Sequence, residues 1–361
     1  AAASDVKTFS NRMNRQSSYS ETLQREIGEL YAREGYSPIP TLLNNDGDDH
    51  RRYRSLVDRA FTVVRINALM PAIRAEVDAL MTACEVSPEV EFVQQFAIPL
   101  PLNIICDQLG VAREDHQVFK AGSDAMLAVA DPLTPAAKML DYVRDIISMQ
   151  HILARRVELV RQKPDGTIFS VVANNAVDGE LLTVGMMVNL FQNILVAGNE
   201  TTTNALGNAL QILIDDPALR VRLRSDGGRE LVRNFVEEAL RLRAPLQGFF
   251  RVVTRDTELG GVKIPAGATV MLRWGAGGLD PNHYGCPEQL QLDRQAITQH
   301  MTFGHGLHFC IGNQLARAEM RAAFEAIVTR WPNVRLADDD AVQRLPAFFA
   351  HGPRRMRIRI D

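Results

Sequence analysis

One cysteine of the four in this 361-residue chain stands in a setting built for chemistry. The segment reads Phe303-Gly304-His305-Gly306-Leu307-His308-Phe309-Cys310-Ile311-Gly312. Glycines this dense, ahead of an apolar-periodic run, imply unusual backbone dihedrals or close approach to something flat and bulky. The periodicity predicts a helix from Cys310 to Arg330, with the cysteine at its start. Helix N-termini carry partial positive charge and free N–H groups, which favour thiolate over thiol. The thiolate is the form that binds a metal. His308, two residues earlier, can reach an anion on the same side. Cys84 and Cys106 have no such surroundings and read as small buried apolar residues. A thiol protease would want its His as a hydrogen-bonded base held by a third group, and no such group is evident.

Other residues have types and spacings that matter. Glu238 and Arg241 lie i,i+3 on one predicted helix, so they share a face, and Arg294 follows in Leu292-Asp293-Arg294. Exposed pairs of this kind are common and contribute little. His50 and Arg54 are i,i+4 on a basic amphipathic helix, which by itself reads as a solvated face. Ala197-Gly198-Asn199-Glu200-Thr201-Thr202 interrupts a long apolar helix. Buried polar groups there are costly unless paired, and a Thr hydroxyl competes for helix carbonyls. A solvated kink and a proton path are equal readings of it taken alone.

The elements that must position these residues are mostly helical. Helices are predicted over Glu21–Glu34, His50–Arg59, Asn67–Ala83, Phe92–Leu109, Pro135–Lys163, Thr183–Ile214 and Arg229–Arg243. The run from Thr183 is long enough to cross the middle of a fold. Residues 4–20 read as polar loop. Short β-rich runs follow Pro245, with Gly260-Gly261 as a hairpin turn, and Arg354–Ile360 alternates like an edge strand. No β-α-β alternation occurs, so a nucleotide domain of the Rossmann type is not expected.

Composition bounds the rest. Hydrophobic residues make up 46%, ample for a core, and the formal net charge of −3 gives no overall basic excess toward nucleic acid. No Cys/His cluster has zinc-finger spacing. No apolar run reaches the roughly 18 to 20 residues that span a bilayer, and Ala1–Asn14 lacks a secretory layout. Sparse cysteine suits a reducing compartment, so a cytoplasmic location is expected.

The Cys310 segment resembles the haem-binding signature of the cytochrome P450 family, Phe-Gly-x-Gly-x-His/Arg-x-Cys-x-Gly, at every fixed position. Residues 197–202 are similar to the family's Ala/Gly-Gly-x-Asp/Glu-Thr motif. From about Asn44 onward the motifs occur in family order. The resemblance implies a mainly α fold with a small β region, one domain over 1–361, and haem b buried between the long helix and the Cys310 loop. It implies Cys310 as the axial iron ligand, with Phe303, Gly304, Gly312 and Ala197 beside the haem. His50, Arg54, Arg251 and His308 then hold the propionates, and Glu238, Arg241 and Arg294 lock the loop. Thr201 and Glu200 become the proton relay. Pocket positions would be Asn193, Val196, Leu246, Phe249, Phe250, Phe348 and Phe349, with Asn193 open between a substrate contact and a neighbouring helix.

The implied activity is insertion of one oxygen atom from O2 into a mostly apolar small organic substrate. Electrons come from NAD(P)H through a ferredoxin-like donor and its reductase. A basic patch of Arg51, Arg52, Arg59, Arg317 and Arg321 is the expected docking face. A peroxide-driven peroxygenase is the alternative, against which the Glu200-Thr201 pair argues; a haem sensor or carrier is a further one. Two departures stand out. The family's N-terminal strand region is expected to be absent or shortened before Ala1, and Gly275-Ala276-Gly277-Gly278-Leu279-Asp280 stands where the family often has an Asn-Arg-Asp turn.

Overall fold

Thr183 caps the helix around which the protein is built: its side chain accepts from the Met186 N–H, and Val184–Asp215 then runs for 32 residues. At 1.5 Å per residue that spans about 48 Å. Its apolar side chains, among them Leu190, Phe191, Leu195, Leu206 and Leu210, are buried in the main core. Its buried polar side chains fasten neighbouring chain segments to it. Asn189 donates to Ser37 O at 3.1 Å, Thr203 to Ala97 O at 3.0 Å and Asn208 to His351 O at 2.7 Å. Polar groups so placed are satisfied rather than stranded.

The computed structural model describes residues 2–12, 19–131, 134–225, 228–345 and 347–360. Helices are α1 (Glu21–Glu34), α2 (Gly47–Ala60), α3 (Val63–Cys84), α4 (Pro99–Leu109), α5 (His116–Ala130), α6 (Met139–Gln162), α7 (Ile168–Ala173), α8 (Val184–Asp215), α9 (Pro217–Leu223), α10 (Gly228–Leu242), α11 (Trp274–Gly277) and α12 (Asn313–Arg330). Strands are β1 (Phe9–Ser10), β2 (Glu89–Glu91), β3 (Phe249–Val253), β4 (Thr257–Leu259), β5 (Val262–Ile264), β6 (Thr269–Leu272), β7 (Arg335–Leu336), β8 (Val342–Arg344) and β9 (Pro353–Arg359). The fold is mainly α with small sheets, as expected. Among the described residues no helix is long and apolar enough to cross a membrane.

Several boundaries differ from the sequence reading. The stretch from Phe92 is split into a π turn, Val93–Ala97, and α4, which opens on Pro99. Proline has no N–H to give and suits a first helical turn. A 3-10 turn, Ala136–Lys138, precedes α6 where one helix was expected. The stretch read as loop, 4–20, contains β1, which pairs with β3; residues 13–18 lie outside those described. β9 is no edge strand: β2, β7 and β8 all pair with it. Its alternation reflects burial of Met356 and Ile358 against the core.

The Gly-Gly turn is as predicted, joining β4 to β5 with both glycines at positive φ. The three-glycine departure has a packing reason. A Cβ at Gly278 would stand 2.4 Å from Arg241 O. Only glycine lets that backbone approach so closely.

Candidate active site

The cysteine loop gets its shape from two glycines, Gly304 and Gly306, at φ 74° and 77°. The Cys310 N–H donates to Phe303 O at 2.9 Å and closes the loop. Helix α12 begins at Asn313, after Gly312, so Cys310 stands just ahead of the helix rather than on its first residue. The Gly312 and Asn313 N–H groups still reach its sulfur and, with Arg54 and Arg317, favour the thiolate. Burial outweighs them and pushes the Cys310 thiol above its ordinary value. That reverses the direction expected from the helix start. The reason is that desolvation disfavours the charged form of so buried a sulfur; a metal ion bonded to it would invert that balance.

Beside the loop lies a cluster of buried donors. His50 is fully buried and neither of its ring nitrogens has a partner. Its ring centroid is 4.4 Å from that of His308. Arg54 donates through Nη1 to Phe309 O at 2.7 Å and through Nε to Asp58 at 2.8 Å. This ties the donor cluster to the peptide next to Cys310. Arg251, buried on β3, donates to Phe250 O at 2.8 Å. Burial, then His308 and Arg54, push His50 down to about 4. Burial also lowers His308 and Arg251. Buried and half-buried donors gathered this closely, with Arg54 disfavouring the protonated forms of both histidines, call for negative charge.

Asp46 supplies some of it, and sequence reasoning missed it. Its Oδ1 is 3.2 Å from His308 Nε2, and its Oδ2 accepts from Ser10 Oγ at 2.6 Å and the Asn11 N–H at 2.9 Å. The available signal was its place at the N-cap of α2, four residues before His50. On α8, Ala197 is exposed between half-buried Val196 and Gly198, and a Cβ at Gly198 would touch nothing within 4 Å. A flat group carrying carboxylates fits this set: a smooth helix face, unpartnered imidazole nitrogens and buried guanidinium.

On α8, Thr201 Oγ1 donates to Ala197 O at 2.8 Å. Burial pushes the Glu200 carboxyl above its usual range, against the lowering effect of Asn204 and Lys120. Asn204 Nδ2 donates to Glu200 at 3.3 Å. Asn199 Oδ1 is buried without a partner. Asn193 donates to Thr41 Oγ1 at 3.0 Å and to Asn189 O at 2.9 Å. Its side-chain partner is thus on the loop that carries Thr41 rather than on a neighbouring helix.

The Glu238 cluster is buried. Arg241 donates to Glu238 through Nε at 2.6 Å and Nη2 at 2.9 Å, and Arg294 through Nε at 3.0 Å. The two arginines also gather carbonyls of Gly278, Gly285, Pro287 and Gln289. The expected basic patch does not hold together. Arg317 is buried against Glu237 at 2.9 Å, and Arg321 turns to the same carboxylate at 3.2 Å. A buried acid at position 237 draws both inward, and the sequence offered no reason to single it out from Glu238. Arg51 pairs with Asp48, and Arg52 lies 3.9 Å from both Asp178 and Glu180. Arg59 remains on the surface, 3.5 Å from Asn175.

The residues expected in the pocket wall lie on α8, around β3 and in the loop before β9. Strand side chains alternate, so Phe249 shares the Arg251 face of β3 and Phe250 does not. Phe250 stacks on Phe348 at 6.4 Å, and Phe348 is 77% exposed. Phe349 contributes its carbonyl, accepting from the Gln247 N–H at 2.7 Å, while Leu246 bridges Ala350. Val196 is half-buried one residue before Ala197.

Comparison with known proteins gives a consistent result. The family profile described as Cytochrome P450 matches residues 133–346. The chain is 31% identical over 323 residues to cytochrome P450 107B1 of Saccharopolyspora erythraea, covering 88% of this chain and 76% of that protein. It is 35% identical over 306 residues to the vitamin D(3) 25-hydroxylase of Pseudonocardia autotrophica, covering 83% and 73%. Its structure is similar to that of CYP109E1 from Bacillus megaterium in complex with corticosterone, with TM-score 0.82, 31% identity and coverage of 90% and 87%.

Proposed function

The chain belongs to the cytochrome P450 family, and from that premise we propose a haem-thiolate monooxygenase whose iron ligand is Cys310. The observation that carries the assignment is one hydrogen bond. Arg54, from the donor cluster, reaches Phe309 O at 2.7 Å, so the carboxylate-binding groups and the sulfur belong to one site.

In this reading Cys310 holds the iron of haem b. His50, Arg54, Arg251 and His308 bind its propionates, and Asp46 orients His308 from behind. Phe303, Gly304, Gly312 and Ala197 would line the macrocycle. When bound, the haem supplies dioxygen activation, with thiolate electron density favouring O–O cleavage.

The chain's own part is to hold substrate and move protons. Thr201 spends its hydroxyl proton on Ala197 O, and rotation about χ1 redirects it toward the pocket. A carboxyl pushed upward is a better proton carrier near neutral pH. Glu200, steadied by Asn204, therefore feeds Thr201 from the Lys120 and Asp124 side of α5. Val196, Leu246 and Phe249 form an apolar wall that orients the substrate and excludes water. Asn193 is engaged by Thr41, which leaves few polar groups there. We take a mostly apolar, sterol-like molecule as the substrate class. Relatives named vitamin D(3) 25-hydroxylase and steroid C26-monooxygenase support that class. The enzyme works in the cytoplasm, taking NAD(P)H electrons through a ferredoxin-like donor and its reductase, which dock near Arg52 and Arg59.

The test is turnover of a sterol panel with isotopically labelled dioxygen, NADPH, ferredoxin and reductase. One labelled oxygen atom in the product and one in water is the expected outcome. Product formed with hydrogen peroxide and none with the donor system would assign a peroxygenase instead.

A further inference from the structure

A second buried acid stands next to Glu238, and the family motifs do not use it. Glu237 has no exposed side-chain surface. It accepts from Arg317 Nε at 2.9 and 3.1 Å, from Arg317 Nη2 at 3.0 Å and from Arg321 Nη2 at 3.2 Å. His300 Nε2 lies 3.1 Å from its Oε2. Adjacent helix residues point about 100° apart. Glu238 therefore serves the loop around 278–291, whereas Glu237 serves α12.

Arg317 passes this anchorage to the cysteine by two routes. Its Nη1 donates to Asn313 Oδ1 at 2.8 Å, and Asn313 Nδ2 donates to Cys310 O at 2.8 Å. Its guanidinium also lies 4.3 Å over the Phe303 ring. Phe303 O in turn accepts the Cys310 N–H at 2.9 Å. Both the N–H and the carbonyl of Cys310 are thus traced back to one arginine, and that arginine to one carboxylate.

We propose that Glu237 is a positioning residue that, through Arg317 and Asn313, fixes the Cys310 peptide and balances the charge beside its sulfur. In doing so it sets how readily the bound iron accepts an electron. The inference rests on haem ligation by Cys310. One carboxylate faces two guanidiniums, so the cluster carries surplus positive charge. Charges in a low-dielectric interior act over several ångströms, and Arg317 already favours the thiolate at Cys310. Added positive charge favours the reduced, electron-richer state.

The two partners therefore have opposite effects on the potential. Glu237→Gln removes negative charge and raises it; Arg317→Met removes positive charge and lowers it. A role in folding alone would loosen the loop in both variants and move them in the same direction. The expected size is roughly tenfold in the reduction equilibrium for each, or about 59 mV for a one-electron couple.

The experiment is a spectroelectrochemical titration of the haem-loaded enzymes, in which each ferric iron takes one electron from dithionite. Glu237→Gln should shift up, Arg317→Met down, and Arg317→Lys, which keeps the charge, should stay within about threefold of the parent equilibrium. Arg321→Met, at a half-exposed site, should shift down by less and carries the test if Arg317→Met does not retain haem. Shifts of one sign in the Glu and Arg variants, or no shift beyond threefold, overturn the proposal. A parent enzyme without the carbon monoxide band of sulfur-ligated haem would instead overturn the ligation on which it rests.

Discussion

Replacing Glu238 by alanine removes the acceptor of four hydrogen bonds: two from Arg241, one from Arg294 and one from the Gln291 N–H at 2.9 Å. Neither Glu238 nor Arg241 has any exposed side-chain surface, so water cannot replace the lost carboxylate. Breaking a buried ion pair from one side costs about 3–5 kcal/mol, because the remaining charge stays buried. Arg241 keeps the Gly278, Pro287 and Gln289 carbonyls, which holds the cost within that range rather than above it. At roughly 1.3 °C per kcal/mol for a chain of this size, the melting temperature should fall by about 4–7 °C. Calorimetry of the haem-loaded protein reads it, and Glu238→Gln, which keeps the shape, should fall less. The loop bearing Gln289 and Gln291 should also gain hydrogen-exchange rate. A fall below about 2 °C on that same scale, with haem retained and exchange unchanged, would refute the argument that this cluster locks the loop.

Three other outcomes follow from the same geometry. In the haem-free protein, His50 sits near 4 when folded and near 6.5 when unfolded. The unfolded chain thus takes up a proton that the folded chain refuses, and stability falls as pH drops from 6.5 toward 4, by up to about 3 kcal/mol. His50→Phe should flatten that slope in denaturant titrations; an identical slope would remove His50 as the cause. Thr201→Ala should leave substrate spectral shifts nearly intact while product per NADPH consumed falls several-fold; unchanged coupling would contradict the relay. Charge reversal at Arg52 and Arg59 should slow ferredoxin-driven reduction and weaken its salt dependence, whereas an unaltered rate and slope would place donor docking elsewhere.

What could be read from the sequence was what is local in it. The Gly304/Gly306 turn, the i,i+3 pair of Glu238 and Arg241 and the polar interruption of α8 each lie within a few residues. Their physics therefore shows in spacing. Asp46 and Glu237 were missed because their meaning comes from distant partners. His308 is 262 residues from Asp46, and Arg317 is 80 from Glu237. The same holds for Gln150, which exchanges hydrogen bonds with both the N–H and the carbonyl of Tyr36 at 2.9 and 3.0 Å, 114 residues away. Arg317 and Arg321 misled in the opposite sense. Their charge suggested surface, and a buried carboxylate reversed it. Phe250 and Phe348 were expected in the pocket wall from the resemblance alone; their stacking at 6.4 Å joins positions 98 residues apart, which no local spacing reveals.

The ligation itself has a direct test. The purified parent protein, reduced under carbon monoxide, should show the long-wavelength Soret band of sulfur-ligated ferrous haem, and Cys310→Ala should lose it entirely. Persistence of that band in the alanine variant would mean that another sulfur holds the iron, and the site described around Cys310 would be wrong.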